Sequence, residues 1–148
     1  MFGPITEGTT RNTELLCALY RELDRRVACE FVRELRDYLA ETDFDAINED
    51  ENANELIGGA LELLNDQFAA PFTYWGFHPV DGASLGSWPD IDALDDAIRC
   101  NVVMRISDLS EITEEHHNED VALVNDHGNV TFGHVNGEGE FLEQWSVV

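Results

Sequence analysis

Apolar residues recur every three to four positions from Leu16 through Leu19, Tyr20, Leu23, Val27, Phe31 and Leu35 to Leu39. This spacing predicts one long amphipathic helix from about Thr13, which serves as its cap, to about Ala40. At about 100° per residue, Arg21, Arg25, Arg33 and Arg36 fall opposite the apolar stripe. Glu22 with Arg26 and Arg33 with Asp37 read as i,i+4 surface pairs, each contributing roughly a few tenths of a kcal/mol. A second helix is predicted from near Glu51 to Phe68, with Leu56, Ile57, Ala60, Leu61, Leu64 and Phe68 on its inner face. Gly58-Gly59 weakens its first turns.

The period changes after Pro71. Phe72 to His78 reads as an aromatic strand, Asp81-Gly82 and Gly86 mark an irregular loop, and Ser87-Trp88-Pro89-Asp90 starts a short acidic helix ending near Arg99. Asn101 to Ser107 is a second strand. Asp108 to Asp120 is a polar connection, either mobile or a single helical turn. Val121 to Asn125 and Val130 to Val135 flank Asp126-His127-Gly128-Asn129, a hairpin in which Gly128 supplies a positive φ. Asn136-Gly137 marks another tight turn before a last strand, Phe141 to Val148. Residues 1–12 form a polar, flexible lead-in, and Thr42 to Asn54 an acidic loop. The expected order is ααβαβββ: an α+β, two-layer domain spanning residues 1–148, with two N-terminal helices packed on an antiparallel sheet of about four strands.

Composition adds a strong constraint. Residues 41–148 hold 24 carboxylates against only two cations, Arg99 and Arg105, whereas residues 1–40 hold seven acids and six arginines. The chain has no lysine, and its net charge is −23. Such a surface repels nucleic acid and anionic membrane and attracts basic protein surfaces. With 43% hydrophobic residues and 14 aromatics, the chain is globular and not a disordered acidic tail. No run of about 18 apolar residues is present, and the first residues lack the pattern of a secretory signal, so a cytoplasmic location is expected. Cys17, Cys29 and Cys100 lack CxxC spacing and are expected as free, buried thiols.

Candidate chemistry is sparse. Glu114-Glu115-His116-His117-Asn118-Glu119-Asp120 contains metal-ligand residue types, but adjacent histidines point apart on most backbones and no HExxH spacing exists. His78, His127 and His134 are scattered, and Ser84, Ser87 and Ser107 lie outside any nucleophile elbow. The acids at Asn48–Asn52 lack the glycine and terminal glutamate of a calcium loop. Phosphate-cradling glycine motifs are missing. The aromatic segment 72–79 could form a partner-binding hot spot, but a strand buried on both faces has the same composition and is the commoner case. Trp88 and Trp145 are expected in the core. On these grounds no enzyme class, cofactor or metal is expected.

The segments PFTYWGFHPVDGASLGSWPD (71–90) and VALVNDHGNVTF (121–132) resemble small uncharacterised acidic proteins of tailed phages of GC-rich bacteria. The resemblance covers about 32 residues. It implies a viral or mobile-element origin and assigns no catalytic residue. Small acidic viral proteins include anti-CRISPR and anti-restriction DNA mimics.

Charge and resemblance together lead to the expectation of an acidic protein-binding inhibitor that engages a basic, nucleic-acid-binding host protein. The first patch expected to carry binding is Glu41, Asp43, Asp45, Glu49, Asp50, Glu51 and Glu55, followed by Asp90, Asp92, Asp95 and Asp96, each pairing with arginine or lysine of the partner. A salt-adapted acidic accessory protein is the alternative, since net charge also serves solubility at high salt. A small metal-dependent enzyme is the second alternative, with no site assigned to it; the sequence leaves open a metal site around His116 and His117.

Overall fold

The apolar stripe over residues 13–40 is divided between two helices, α1 (Asn12–Asp24) and α2 (Glu30–Glu41), in the computed structural model, which describes residues 3–147. The single predicted helix is thus corrected. Arg26 and Val27 both donate their amides to the Leu23 carbonyl, ending α1, and the chain then runs extended to Cys29. The gain is burial: Leu16, Leu19 and Leu23 share one core with Val32 and Leu35, which a straight helix would carry far away. Periodicity continues unbroken through such a bend, so it carries no mark of it. Thr13 is not the cap either. Arg11 holds that position, while Thr13 lies inside α1, its amide donating to Asn48 Oδ1 (3.2 Å) and its hydroxyl to the Phe44 carbonyl (2.7 Å).

Asn48 follows α3 (Phe44–Ile47), a single turn inside the segment expected as loop. Next comes α4 (Glu51–Phe68), whose bounds match the sequence reading. Ala53, Ile57, Ala60 and Leu64 are its buried face, with Leu56, Leu61 and Phe68 packed beside them. Helix α1 is central to this unit: α2, α3 and α4 all pack against it, as does β1 (Gly3–Thr6). That strand replaces part of the expected lead-in; Met1 and Phe2 lie outside the described residues.

Two further strands complete a three-stranded sheet in the order β1-β3-β2. The aromatic strand β2 (Thr73–Phe77) was anticipated, but β3 (Leu85–Pro89) occupies the residues read as a loop and helix start. Only Asp90 of that helix signal keeps its role. Gly86 permits the β1–β3 pairing, because a Cβ there would stand 2.3 Å from the Gly3 carbonyl oxygen. Asn65 of α4 binds β2 in both senses, accepting from the Trp75 amide (2.8 Å) and donating to the Trp75 carbonyl (2.9 Å). Trp75 is buried as expected, Trp88 is only half-buried, and Phe77 at the end of the aromatic strand is exposed.

The described chain falls into two compact units, residues 1–88 and 89–148. The second contains α5 (Ile91–Arg99), β4 (Met104–Ile106), β5 (Asp120–Val124), β6 (Val130–Val135) and β7 (Phe141–Val147). Val148, the last residue of the predicted final strand, lies outside the described residues. Strand β4 is shorter than the predicted 101–107 because Asn101 and Val102 terminate α5. Asn101 adopts φ 56° and donates to the Ile98 carbonyl, and Val102 donates to that of Ala97, the Schellman arrangement.

The strands form a sheet in the order β4-β5-β6-β7. It is mixed, not wholly antiparallel: β4 runs parallel to β5, and the other pairs are antiparallel. The parallel pair requires a crossover, supplied by residues 107–119, which form two short 3-10 turns where one turn at most was expected. Ile106, Val121 and Val135 form one apolar layer, joined by Ile112 from the crossover. Alternation places Ala122, Phe132 and Trp145 on the opposite face, where the two aromatic rings pack at 5.6 Å. Both C-terminal hairpins form as predicted. Gly128 has φ 81°, and in the second turn the positive φ belongs to Gly139. The fold class is α+β.

Candidate functional site

The exposed face of α4 is an acidic stripe. Glu51, Glu55, Glu62 and Asp66 are spaced i, i+4, i+11 and i+15, which places them within about 60° of one another on a helix of about 100° per residue. All four are exposed and, among the described residues, none forms an ion pair. The stripe runs about 22 Å at 1.5 Å per residue. It lies opposite the buried Ala53, Ile57, Ala60 and Leu64, so its orientation follows from core burial.

The expected patch holds Glu51 and Glu55 but not Glu62 and Asp66. Their i,i+4 spacing, in register with the first two, was the available signal. Of the other residues in the first expected patch, Glu41, Asp43, Asp45 and Glu49 are exposed. Asp43 also caps α3, accepting from the Asp45 amide at 2.9 Å. Phe44, 59% exposed, stands between Asp43 and Asp45.

Asp50 is engaged internally. Its Oδ1 accepts from the Asn52 amide (3.0 Å) as the α4 cap, and its Oδ2 accepts from the Tyr38 hydroxyl (2.6 Å). The Tyr38 bond, followed by the Asn52 bond, holds the carboxyl below its ordinary range. Desolvation and the same aspartate push the Tyr38 phenol up to about 12. In the second unit Asp90 caps α5 through the Ala93 amide (3.0 Å), and Asp96 pairs with Arg99 (3.1 Å). Asp92 and Asp95 are exposed.

Cation placement differs from expectation. Arg21, Arg25, Arg33 and Arg36 are exposed, as read. Glu22, expected at the surface, is only 1% exposed and receives hydrogen bonds from both Arg25 and Arg26. Arg26 in turn lies over the Trp75 and Phe68 rings, 5.3 and 5.7 Å from their centroids. Asp37 pairs with Arg36 at 2.7 Å in place of the expected Arg33.

The histidines do not converge. His116 Nδ1 accepts from the Thr113 amide (3.1 Å), while His117 lies against Gly139, so the adjacent rings point apart. Among the described residues, no three His, Cys, Asp or Glu side chains cluster closely enough to hold a metal. His78 Nδ1 accepts from the Asp81 amide (3.0 Å), and the Ser84 hydroxyl donates to Asp81 Oδ2 (2.5 Å). These bonds close the loop between β2 and β3. His134 and Asp120, cross-strand partners on β6 and β5, are 2.9 Å apart, a contact that only strand register produces. The three thiols are free, but Cys100 is exposed and Cys17 and Cys29 are half-buried, which corrects the expectation of burial.

No described helix is long and apolar enough to cross a membrane. No protein-family model, curated protein or solved structure matches the chain.

Proposed function

We propose that the protein is an acidic protein-binding inhibitor of the phage anti-defence type, anti-CRISPR or anti-restriction, which occupies a basic nucleic-acid-binding surface of a host protein. The observation that supports this reading most directly is the unpaired acidic stripe of α4. One strand of duplex DNA presents a charge every roughly 3.4 Å, or about six over the 22 Å of the stripe. Four carboxylates on a rigid helix give about two thirds of that density, and Glu41, Asp43, Asp45 and Glu49 add charge just ahead of it. Exposed acids without intramolecular partners have no internal ion pair to break before meeting arginine or lysine on another protein. Asp92, Asp95 and Asp96 are a secondary surface of the same sign. Asp43, Asp50 and Asp90 contribute mainly by capping the helices that carry the others.

A triple variant, Glu55→Lys, Glu62→Lys and Asp66→Lys, tests the proposal because it leaves the caps intact. The wild-type protein is expected to capture a basic protein from a host lysate at about 0.05 M salt and to release it to a competing DNA duplex or to about 1 M salt. The triple variant is expected to fold and capture nothing. Capture that DNA does not displace, or that survives the triple reversal, would sink the reading. The lysine-free composition supports salt adaptation as the second reading, and the same series separates the two. A salt-adapted protein unfolds as salt is withdrawn, whereas a mimic remains folded.

A further inference from the structure

Both cations of residues 41–148, Arg99 and Arg105, line a single groove of about 470 Å³ within the second unit. Its floor is aliphatic: Leu94 and Ile98 of α5 face Val124 and Val130, the residue pair that closes the β5–β6 hairpin. Strand alternation explains how Arg105 arrives there. It pairs in register with Ala122, so its side chain emerges on the same sheet face as Val124. Arg99 reaches the groove from the last turn of α5, one residue beyond Ile98.

The groove gathers cationic side chains in an otherwise acidic stretch of chain. Arg105 forms no ion pair among the described residues. Arg99 is paired only with Asp96, at 3.1 Å, with both side chains about three-quarters exposed, so the bond is weak and exchangeable. Asp95 lies on the same rim without an ion pair to either arginine, so with Asp96 bound to Arg99 the edge carries two carboxylates beside its two guanidiniums, and Arg105 is the one without an ion-pair partner among the described residues. A volume of this size is in the range that encloses a small ligand. An aliphatic floor below two guanidinium donors matches an amphiphile with an apolar tail and an anionic, fork-accepting head.

We propose that this groove binds a small aliphatic carboxylate, with the tail between α5 and the hairpin and the carboxylate on Arg105 and Arg99. The alternative is that the arginine stems merely cover an apolar gap. Global charge makes the two separable. A chain of net charge −23 favours a cationic amphiphile at any indifferent apolar groove, whereas the proposed site favours the anionic one against that field.

Octanoate and octylammonium are the matched probes, titrated into the full chain below their micelle-forming concentrations and followed by methyl NMR. Octanoate is expected to bind saturably and shift the Leu94, Ile98, Val124 and Val130 methyls, with octylammonium at least tenfold weaker at these positions. Arg105→Gln is expected to weaken octanoate roughly tenfold and Arg105→Lys less, because lysine keeps the charge but loses the fork. Both positions of the substitution are solvent-facing, and an unchanged amide spectrum outside the groove verifies folding; Arg99→Gln provides a second, independent loss. Absence of octanoate binding, equal or tighter octylammonium binding, or undiminished octanoate binding in folded Arg105→Gln and Arg99→Gln would each overturn the proposal.

Discussion

The phenolic hydroxyl of Tyr38, on α2, donates to Oδ2 of Asp50 at 2.6 Å, while Oδ1 of the same carboxylate caps α4 at the Asn52 amide. One aspartate thus ties the end of α2 to the start of the acidic helix. Tyr38→Phe is expected to cost about 1 kcal/mol, the usual net value of one hydrogen bond, measured by urea unfolding at pH 7. Asp50→Ala removes the α4 cap as well and is expected to be more damaging.

The two groups give opposite pH signatures. Asp50 has a lowered pKa, so its contribution is present above the unfolded value of about 3.9 and is lost as pH falls through the folded value. Tyr38 has a raised pKa, so its contribution is complete below about 10 and is lost as pH rises toward about 12. The chain has no lysine, so no lysine contributes to that alkaline window. Urea midpoints between pH 9 and 12 should therefore fall more steeply in the wild type than in Tyr38→Phe. Parallel curves would remove this pair as the cause.

Glu22 is the other acid whose role is internal. It is buried, and Arg26 spans from it to the Trp75 and Phe68 rings. Glu22→Ala would leave the inward-facing Arg26 without its counter-charge, but Arg25 is largely exposed and can be hydrated. The expected loss is about 1–3 kcal/mol, below the range for a fully buried pair. Tryptophan emission should shift as Trp75 loses its cover, and a Glu22→Ala protein with wild-type stability would contradict this account.

Adjacent glycines of α4 should respond differently. A Cβ at Gly58 meets nothing within 4 Å, whereas one at Gly59 stands 3.1 Å from the Phe31 ring. Gly58→Ala is expected to raise stability by about 1 kcal/mol through helix propensity alone. Gly59→Ala gains the same propensity but must displace Phe31, so its net gain should be smaller or negative. Thermal melts of the two single variants check the order.

Tight backbone approach should also be visible in the sheets. At Gly133 an added Cβ would lie 2.5 Å from the Leu142 carbonyl oxygen and 2.6 Å from the Phe141 ring. Gly133→Ala is expected to destabilise the β6–β7 pairing by about 3 kcal/mol, seen as faster amide exchange in β7. Gly137→Ala is its control, since the nearest atom there is a side-chain oxygen of Asn118 at 3.3 Å.

Where structure depended on local chemistry, it was legible in the residues. Helix α4 lies where the 3.6-residue stripe placed it, between the cap Asp50 and the residues before Pro71. The two C-terminal hairpins follow from Asp-His-Gly-Asn and Asn-Gly, and the acidic excess after residue 40 defines the class of partner proposed. Tertiary packing decided the rest. The bend between α1 and α2 is absent from the periodicity because both halves have one period, and only burial of Leu35 beside Leu16 selects it. Strands β1 and β3 depend on a close approach at Gly86 that neither segment signals. Glu22 became a buried anchor because Arg26 meets the rings of Phe68 and Trp75, residues more than 40 positions away. Arg99 and Arg105, isolated in a list of charges, share one groove with Val124 and Val130, which strand pairing brings from a distant hairpin. Charge and period are properties of a local stretch; which charges meet, and which are left unpaired, is fixed only when distant segments pack.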